Sequence, residues 1–168
     1  MQLLSDIHPT LILQFLVLLT LANGTPVIAK KLLGDVFARP LDGHAVFLDG
    51  RPLVGPSKTI RGIVLSILVT TLCAPLIGLH WNTGFVVATM AMAGDLFSSF
   101  FKRRMNLPPS SQAIGLDQIP ESLFPALACQ SILELTVLDI VTVVAIFFIG
   151  EVILSRMLFK WGVRDRPF

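Results

Sequence analysis

The chain has 168 residues, of which 54% are hydrophobic and only 14% charged, with a net charge of +2 and a mean hydropathy of +0.78. A soluble domain carries about a quarter charged residues, so this composition excludes an ordinary soluble enzyme and marks an integral membrane protein. The length suits one compact domain, residues 1–168, rather than two modules.

The apolar runs predict an all-α fold, a polytopic bundle of about five transmembrane helices, with a long cytoplasmic loop between helices 1 and 2. The first run covers residues 11–29 and ends at Lys30 and Lys31. A helix needs about 20 residues to cross a bilayer, so this span must include Asn23, Gly24, Thr25 and Pro26. Proline removes a helical hydrogen bond, and such a break at membrane depth lines a cavity or is masked by neighbouring helices. No Lys or Arg precedes Lys30, so the basic region of a cleaved signal peptide is missing and the run is expected to stay as a span.

Residues 30–61 form a polar connection with six cations and with Asp35, Asp42 and Asp49. It is too long for a simple connector and is a candidate for function. Within it, Asp49-Gly50 reads as a turn between short extended pieces at 45–48 and 52–54. Further spans follow at 63–79, 84–101, 123–138 and 140–159, the last two separated near Asp139. Cys73 and Cys129 lie in apolar stretches without paired spacing. They read as small buried residues, not as a disulfide or a zinc site.

All 13 Lys and Arg fall within 30–61, at 102–104, or from Arg156 onward. The N-terminal lead, the 80–83 turn and the turn between the last two spans have none. The positive-inside rule then places the N-terminus outside, and both large loops and the C-terminus in the cytoplasm, for a multi-pass protein of the cell membrane.

Three runs on that cytoplasmic side carry potential chemistry. Asp95, Ser98, Ser99 and Lys102 are spaced 3, 4 and 7 apart, so a helix puts them on one face, with Arg103 beside it. Gly94 leaves room for a ligand or a neighbouring helix. An anion in hydrocarbon is expensive and should face protein, water or a metal. The functional reading is half of a phosphate-and-metal site; the structural one is a snorkelling helix end with an internally paired Asp95. The second run, Gly55 to Gly62, brings Ser57, Lys58, Thr59 and Arg61 to the start of the second span. Exposed amides, a Lys point charge, a hydroxyl and an Arg fork suit a phosphate, although Lys and Arg also simply flank spans. Asp117 is the third piece, just before the fourth span. Asp95 and Asp117 brought together could hold one Mg²⁺ and leave places for substrate phosphates; alternatively Asp117 caps the helix or lies in a solvated loop. His8, His44 and His80 form no cluster.

The ordered set Asp42, Asp49-Gly50-Arg51-Pro52-Leu53-Val54-Gly55, Lys58-Thr59-Ile60-Arg61-Gly62, Gly94-Asp95-Leu96, Ser99, Lys102-Arg103-Arg104 and Asp117-Gln118 resembles the CDP-archaeol synthase family. These are small membrane cytidylyltransferases related to the CDP-diacylglycerol synthases. The likeness runs from Asn23 to Gln118 and is weaker over the last two helices. It implies Mg²⁺-dependent transfer of a cytidylyl group from CTP to a lipid phosphate in the bilayer, with no nucleic acid involved. By position, Asp95 and Asp117 would hold the metal, and Lys58, Thr59, Arg61, Lys102 and Arg103 would contact phosphates. Lys102 would count with the two carboxylates as catalytic. Ser99 would lie near the nucleotide, and Asn23, Asp42 and Gly62 match the family pattern as substrate-binding positions. The fuller CDP-diacylglycerol synthase signature has a Lys-Asp pair, a His-Gly-Gly segment and an Asp-Arg-x-x-Asp element after its Lys-Arg. Here only Asp117-Gln118 is comparable, which favours the archaeol-type branch while leaving the lipid tails open.

The residues agree with that chemistry on their own terms. A lipid phosphate is already a nucleophile at neutral pH, so no Ser-His-Asp or Cys nucleophile is needed; cations must screen it from a second polyanion. The competing readings are a related activity on phosphatidic acid, or a small transporter or assembly protein using Asp95, Glu134 and Glu151 as an ion path. Nothing in the residues specifies an oligomeric state.

Overall fold

The computed structural model describes residues 7–108, 111 and 113–160, with the side chains of 158–160 outside the description. Arg164 and Arg166, counted above among the cytoplasmic cations, lie outside the described residues. The helices are α1 (Pro9–Leu33), α2 (Ile60–Cys73), α3 (Trp81–Arg104), α4 (Gln118–Ala128), α5 (Gln130–Leu133) and α6 (Val137–Lys160), with a 3₁₀ turn at Pro75–Ile77 prolonging α2. Four stretches are long and apolar enough to cross a membrane: Pro9–Leu33, Ile60–Ile77, Trp81–Arg104 and Val137–Met157. The protein is therefore a polytopic helical membrane protein. The only extended pairings among the described residues are isolated bridges, Pro40 with Thr59 and Val46 with Pro52.

Side-chain contacts give the path. Gln14 donates to the Ile77 carbonyl, and Gly62 packs on Pro26, so α2 returns along α1. Gly84 lies against Thr70, and Lys58 reaches Asp95, so α3 reverses again. α4 starts beside Gly94, and Asp139 at the start of α6 binds His8 at the start of α1. The chain thus passes five times between the two ends. Its fourth pass is the short α4–α5 pair, because residues 113–117 fold back beside α3 and α4 begins level with Gly94.

The break before α6 falls at Glu134–Thr136, not at Asp139, and the stretch 123–138 is not one helix. Glu134 turns the chain in the left-handed region (φ 53°, ψ 38°). Thr136 and Asp139 then close a capping box: Asp139 Oδ2 accepts from Thr136 N at 3.0 Å, and Thr136 Oγ1 accepts from Asp139 N at 3.1 Å. Asp139 is therefore the first turn of a helix.

In lipid there is little hydrophobic drive between helices, so close packing and satisfied polar groups must hold the bundle. Nearly half (44%) of the apolar stretch of α3 is buried, against 22–28% for the other three, which makes α3 the central helix. Its small residues explain this. A Cβ on Gly84 would stand 2.7 Å from the Thr70 carbonyl oxygen, and one on Gly94 would stand 2.3 Å from that of Pro120. The room at Gly94 is filled by the α4 backbone.

The polar patch in α1 is masked by a neighbour. Pro26 has no N–H for the Ala22 carbonyl, and the buried Ser66 Oγ of α2 donates to it at 2.7 Å. α1 consequently stays helical through Pro26, and Gly62 on α2 packs against that proline. Cys73 and Cys129 are free; Cys129 is buried as expected, whereas Cys73 is partly exposed.

Candidate active site

Residues 34–59 form a strap from the end of α1 to the start of α2. Asp49-Gly50 makes the expected turn: Gly50, at φ +73°, donates to the Phe47 carbonyl at 2.9 Å, and Phe47 donates to that of Arg51 at 2.8 Å. Asp42 Oδ2 accepts from the Gly55 and Val54 amides at 2.8 and 3.2 Å. Burial opposes its charge, but those amides and that of His44 outweigh it and hold the carboxyl below its ordinary range. Asp42 thereby sets the backbone entering Lys58.

Lys58 Nζ lies 2.5 and 2.6 Å from the two carboxylate oxygens of Asp95 on α3. Burial works against the ammonium, yet Asp95 more than compensates and raises its pKa. Two turns further along α3, Lys102 Nζ lies 2.6 Å from Asp117 Oδ1 and donates to the Ser111 carbonyl at 3.0 Å. Asp117 Oδ2 accepts from the Ala113 amide at 2.8 Å, so this carboxylate is buried and does not cap α4. Glu121, one turn after Asp117 on α4, is also buried and within hydrogen-bonding reach of Asp95. Lys102, Asp117 and Glu121 are buried at the α3–α4 contact, and the partly exposed pair of Lys58 from the strap and Asp95 adjoins them, so that each lysine lies beside a carboxylate. Ser99, one turn after Asp95, is 2% exposed and its Oγ has no hydrogen-bond partner. Arg103 is buried too: Nη2 donates to the Pro108 carbonyl at 2.9 Å, while Nε is unpartnered.

A family of proteins with the description "CarS-like: CDP-archaeol synthase" matches this chain over residues 76–168, more than half its length. A CDP-archaeol synthase of Pyrobaculum aerophilum is 31% identical over 130 residues, covering 74% of this chain and 77% of that protein. The chain belongs to the CDP-archaeol synthase family. The homologous synthase of Sulfurisphaera tokodaii is 29% identical over 153 residues, covering 88% of this chain and 89% of its own length. That of Pyrococcus furiosus is 40% identical over 107 residues, or 58% of this chain and 60% of the relative. Among solved structures, one described as an intramembrane enzyme for archaeal membrane lipid biosynthesis superimposes with a TM-score of 0.68 at 26% identity, covering 83% of this chain and 91% of the other.

Not every position expected from the CDP-archaeol synthase resemblance joins the cluster. Arg61 turns the other way, donating to the Val36 carbonyl and, at 3.0 Å, to that of Gly34, where it caps the end of α1. Thr59 is the N-cap of α2 and accepts from Gly62 N at 3.2 Å. Ile60 N donates to the Arg39 carbonyl at 3.1 Å, so two amides at this helix start are already engaged. Gly62 serves the α1–α2 crossing, and Asn23 donates to the Leu19 carbonyl at 3.1 Å within α1. Glu151 accepts from the fully buried Gln118 at 2.6 Å, whereas Glu134 lies in the turn before α6. His8 pairs with Asp139 at the other end, and His80 Nδ1 accepts from Asn82 N.

The residue missed by sequence reasoning is Glu121. Its signal was available: four residues after Asp117, it shares that residue's helix face once α4 is known to start at Gln118.

Proposed function

We propose that this chain transfers the cytidylyl group of CTP to a lipid phosphate in the membrane, forming a CDP-activated lipid and pyrophosphate. A phosphate oxygen of the lipid attacks the α-phosphorus of CTP, and the bond from that phosphorus to the bridging oxygen of the β-phosphate breaks. Membership of the CDP-archaeol synthase family supports the reaction class, and the relatives' shared name supports an archaeol-type lipid over phosphatidic acid. The observation that carries the reading is the pair Lys58–Asp95, with Glu121 beside it, followed two turns along α3 by the pair Lys102–Asp117. Among the described residues no three His, Cys, Asp or Glu are gathered for a metal; Mg²⁺ in general is held by one or two carboxylates plus substrate phosphates. Asp95, Asp117 and Glu121 offer the oxygen donors it prefers, and two neighbouring carboxyl groups such as Asp95 and Glu121 repel unless a proton or cation lies between them.

Bound there, Mg²⁺ would draw charge off the triphosphate as pyrophosphate leaves. Lys58 and Lys102, now paired with Asp95 and Asp117, would supply ammonium groups to the phosphates. Arg103, with its free Nε, would add a guanidinium. Ser99 would offer its unpartnered hydroxyl to the nucleotide. Arg61, Thr59 and Asn23 support the helices that carry these groups. Cation placement supports an active-site end in the cytoplasm, where CTP is supplied, with the N-terminus outside. The test is labelled CTP with a panel of lipid phosphates differing only in their tails, with and without Mg²⁺. Pyrophosphate release needing both Mg²⁺ and an isoprenoid-ether phosphate is expected; release from none of the lipids would overturn the proposal.

A further inference from the structure

The motif Asp49-Gly50-Arg51-Pro52 takes no part in the cluster, yet its side chains are tied to α3. Arg51 Nη1 donates to the carbonyl of Arg104 and lies 3.4 Å from that of Arg103, covering the open C-terminal end of α3. In return Arg104 reaches into the strap. Its Nε lies 3.0 Å from Asp49 Oδ2, and its Nη2 donates to the Pro52 carbonyl at 2.6 Å. The Arg104 guanidinium also lies 5.0 Å from the Phe47 ring centroid and 4.8 Å from that of Phe100, two rings that meet edge to face. One arginine from each partner thus grips the other's backbone, and a strap aromatic and a helix aromatic flank the second arginine.

We infer that Arg51 and Arg104 form a reciprocal clamp that holds the 45–54 hairpin on α3, and so act as positioning residues for the phosphate-binding groups. The coupling is geometric. Past the clamp, Gly55 (φ +93°) lies against the Arg103 stem, where a Cβ would stand 3.6 Å from Cδ. Three residues later Lys58 meets Asp95. The strap therefore runs down the cytoplasmic half of α3 and touches it at Arg104, Arg103 and Asp95 in turn. Releasing the first contact frees the two groups below it. Neither clamp arginine needs to touch substrate. An arginine is required at 104 because only a planar guanidinium combines two ring faces with two separately directed N–H bonds.

This inference rests on CTP being the ligand, and its test separates the two. The full chain in detergent, as wild type, Arg104→Ala and Arg104→Lys, is compared by amide exchange, by CTP binding with Mg²⁺, and by turnover. The Phe47, Gly50 and Leu53 amides, bonded inside the hairpin, should exchange at least tenfold faster in both variants. Dissociation constant and KM for CTP should rise at least tenfold while kcat changes less than threefold, because uniform binding is lost. Lysine should not rescue. If Arg104→Ala fails to fold, Phe47→Ala with Asp49→Asn loosens the clamp from the exposed strap side with the same expected split. Faster exchange with unchanged CTP affinity, or rescue by lysine, overturns the inference alone. Unchanged exchange shows that no clamp exists. Absence of CTP binding by the wild type overturns the functional reading and this inference with it.

Discussion

Substituting Gly94 by alanine tests whether the α3–α4 contact builds the site. In an open helix position, Gly→Ala stabilises by about 1 kcal/mol through propensity. Here the added Cβ would lie 2.3 Å from the Pro120 carbonyl oxygen, 2.5 Å from its carbon and 2.8 Å from Glu121 N. Ordinary carbon–oxygen contacts are about 3.3 Å or longer, so roughly 1 Å of helix separation is needed, and every atom in the way is backbone. Overpacking of this kind costs about 1–3 kcal/mol, enough to cancel the propensity gain and reverse its sign. The same movement draws Glu121 from Asp95 and Asp117 from Lys102. A displacement of about 1 Å at reacting groups costs on the order of a hundredfold in rate. Gly150→Ala in α6, where a Cβ meets nothing within 4 Å, is the control. Melting temperature and CTP-dependent pyrophosphate release are measured in one detergent. Gly94→Ala should melt lower and turn over about a hundredfold more slowly, while Gly150→Ala should melt no lower than wild type. A Gly94→Ala protein with raised stability and full turnover would refute the packing argument.

Asp95→Asn and Asp117→Asn should each lower turnover by more than about a hundredfold with insertion unaffected, and Glu121→Gln should lower it too; retained turnover in the purified variants removes the carboxylate site. Lys58→Ala should mainly weaken the use of CTP, seen as a raised KM, and an unchanged KM would make this lysine a membrane flank. Because the folded pKa of Asp42 is depressed, its stabilisation is complete above the unfolded carboxyl value and is lost as pH falls through the folded one. Wild type should therefore lose its melting advantage over Asp42→Asn below about pH 4, and a pH-independent difference would contradict the amide-bonded carboxylate. A cysteine at Leu48, the 96% exposed hairpin tip, should resist an impermeant thiol reagent added to intact cells, against a background set by Cys73 and Cys129; ready labelling would invert the orientation.

Much of the candidate site was legible in the chain. Asp95, Ser98, Ser99 and Lys102 share one face by helical spacing, with Arg103 beside it, and charge and resemblance group Lys58 and Asp117 with them. What the chain alone left open was which way a cation at a helix start points. Arg61 sits three residues from Lys58 and points to the end of α1, because the carbonyls of Gly34 and Val36 are within its reach. The fourth pass was misplaced for a similar reason. Apolar length alone hid the Thr136–Asp139 capping box, which turns an acidic residue into the first turn of a helix.

Insertion in the membrane, the helical class and the gathering of cations toward one end were determined by the sequence itself. Each depends on hydropathy and charge added along a single segment. Which cation answers which carboxylate was decided only in three dimensions. The pair Lys58–Asp95 depends on where the strap lies along α3, and the pair Lys102–Asp117 and the approach of Glu121 to Asp95 depend on how closely the α4 backbone comes to Gly94. That distance is set jointly by two helices and by the strap laid across one of them, and no segment specifies it alone.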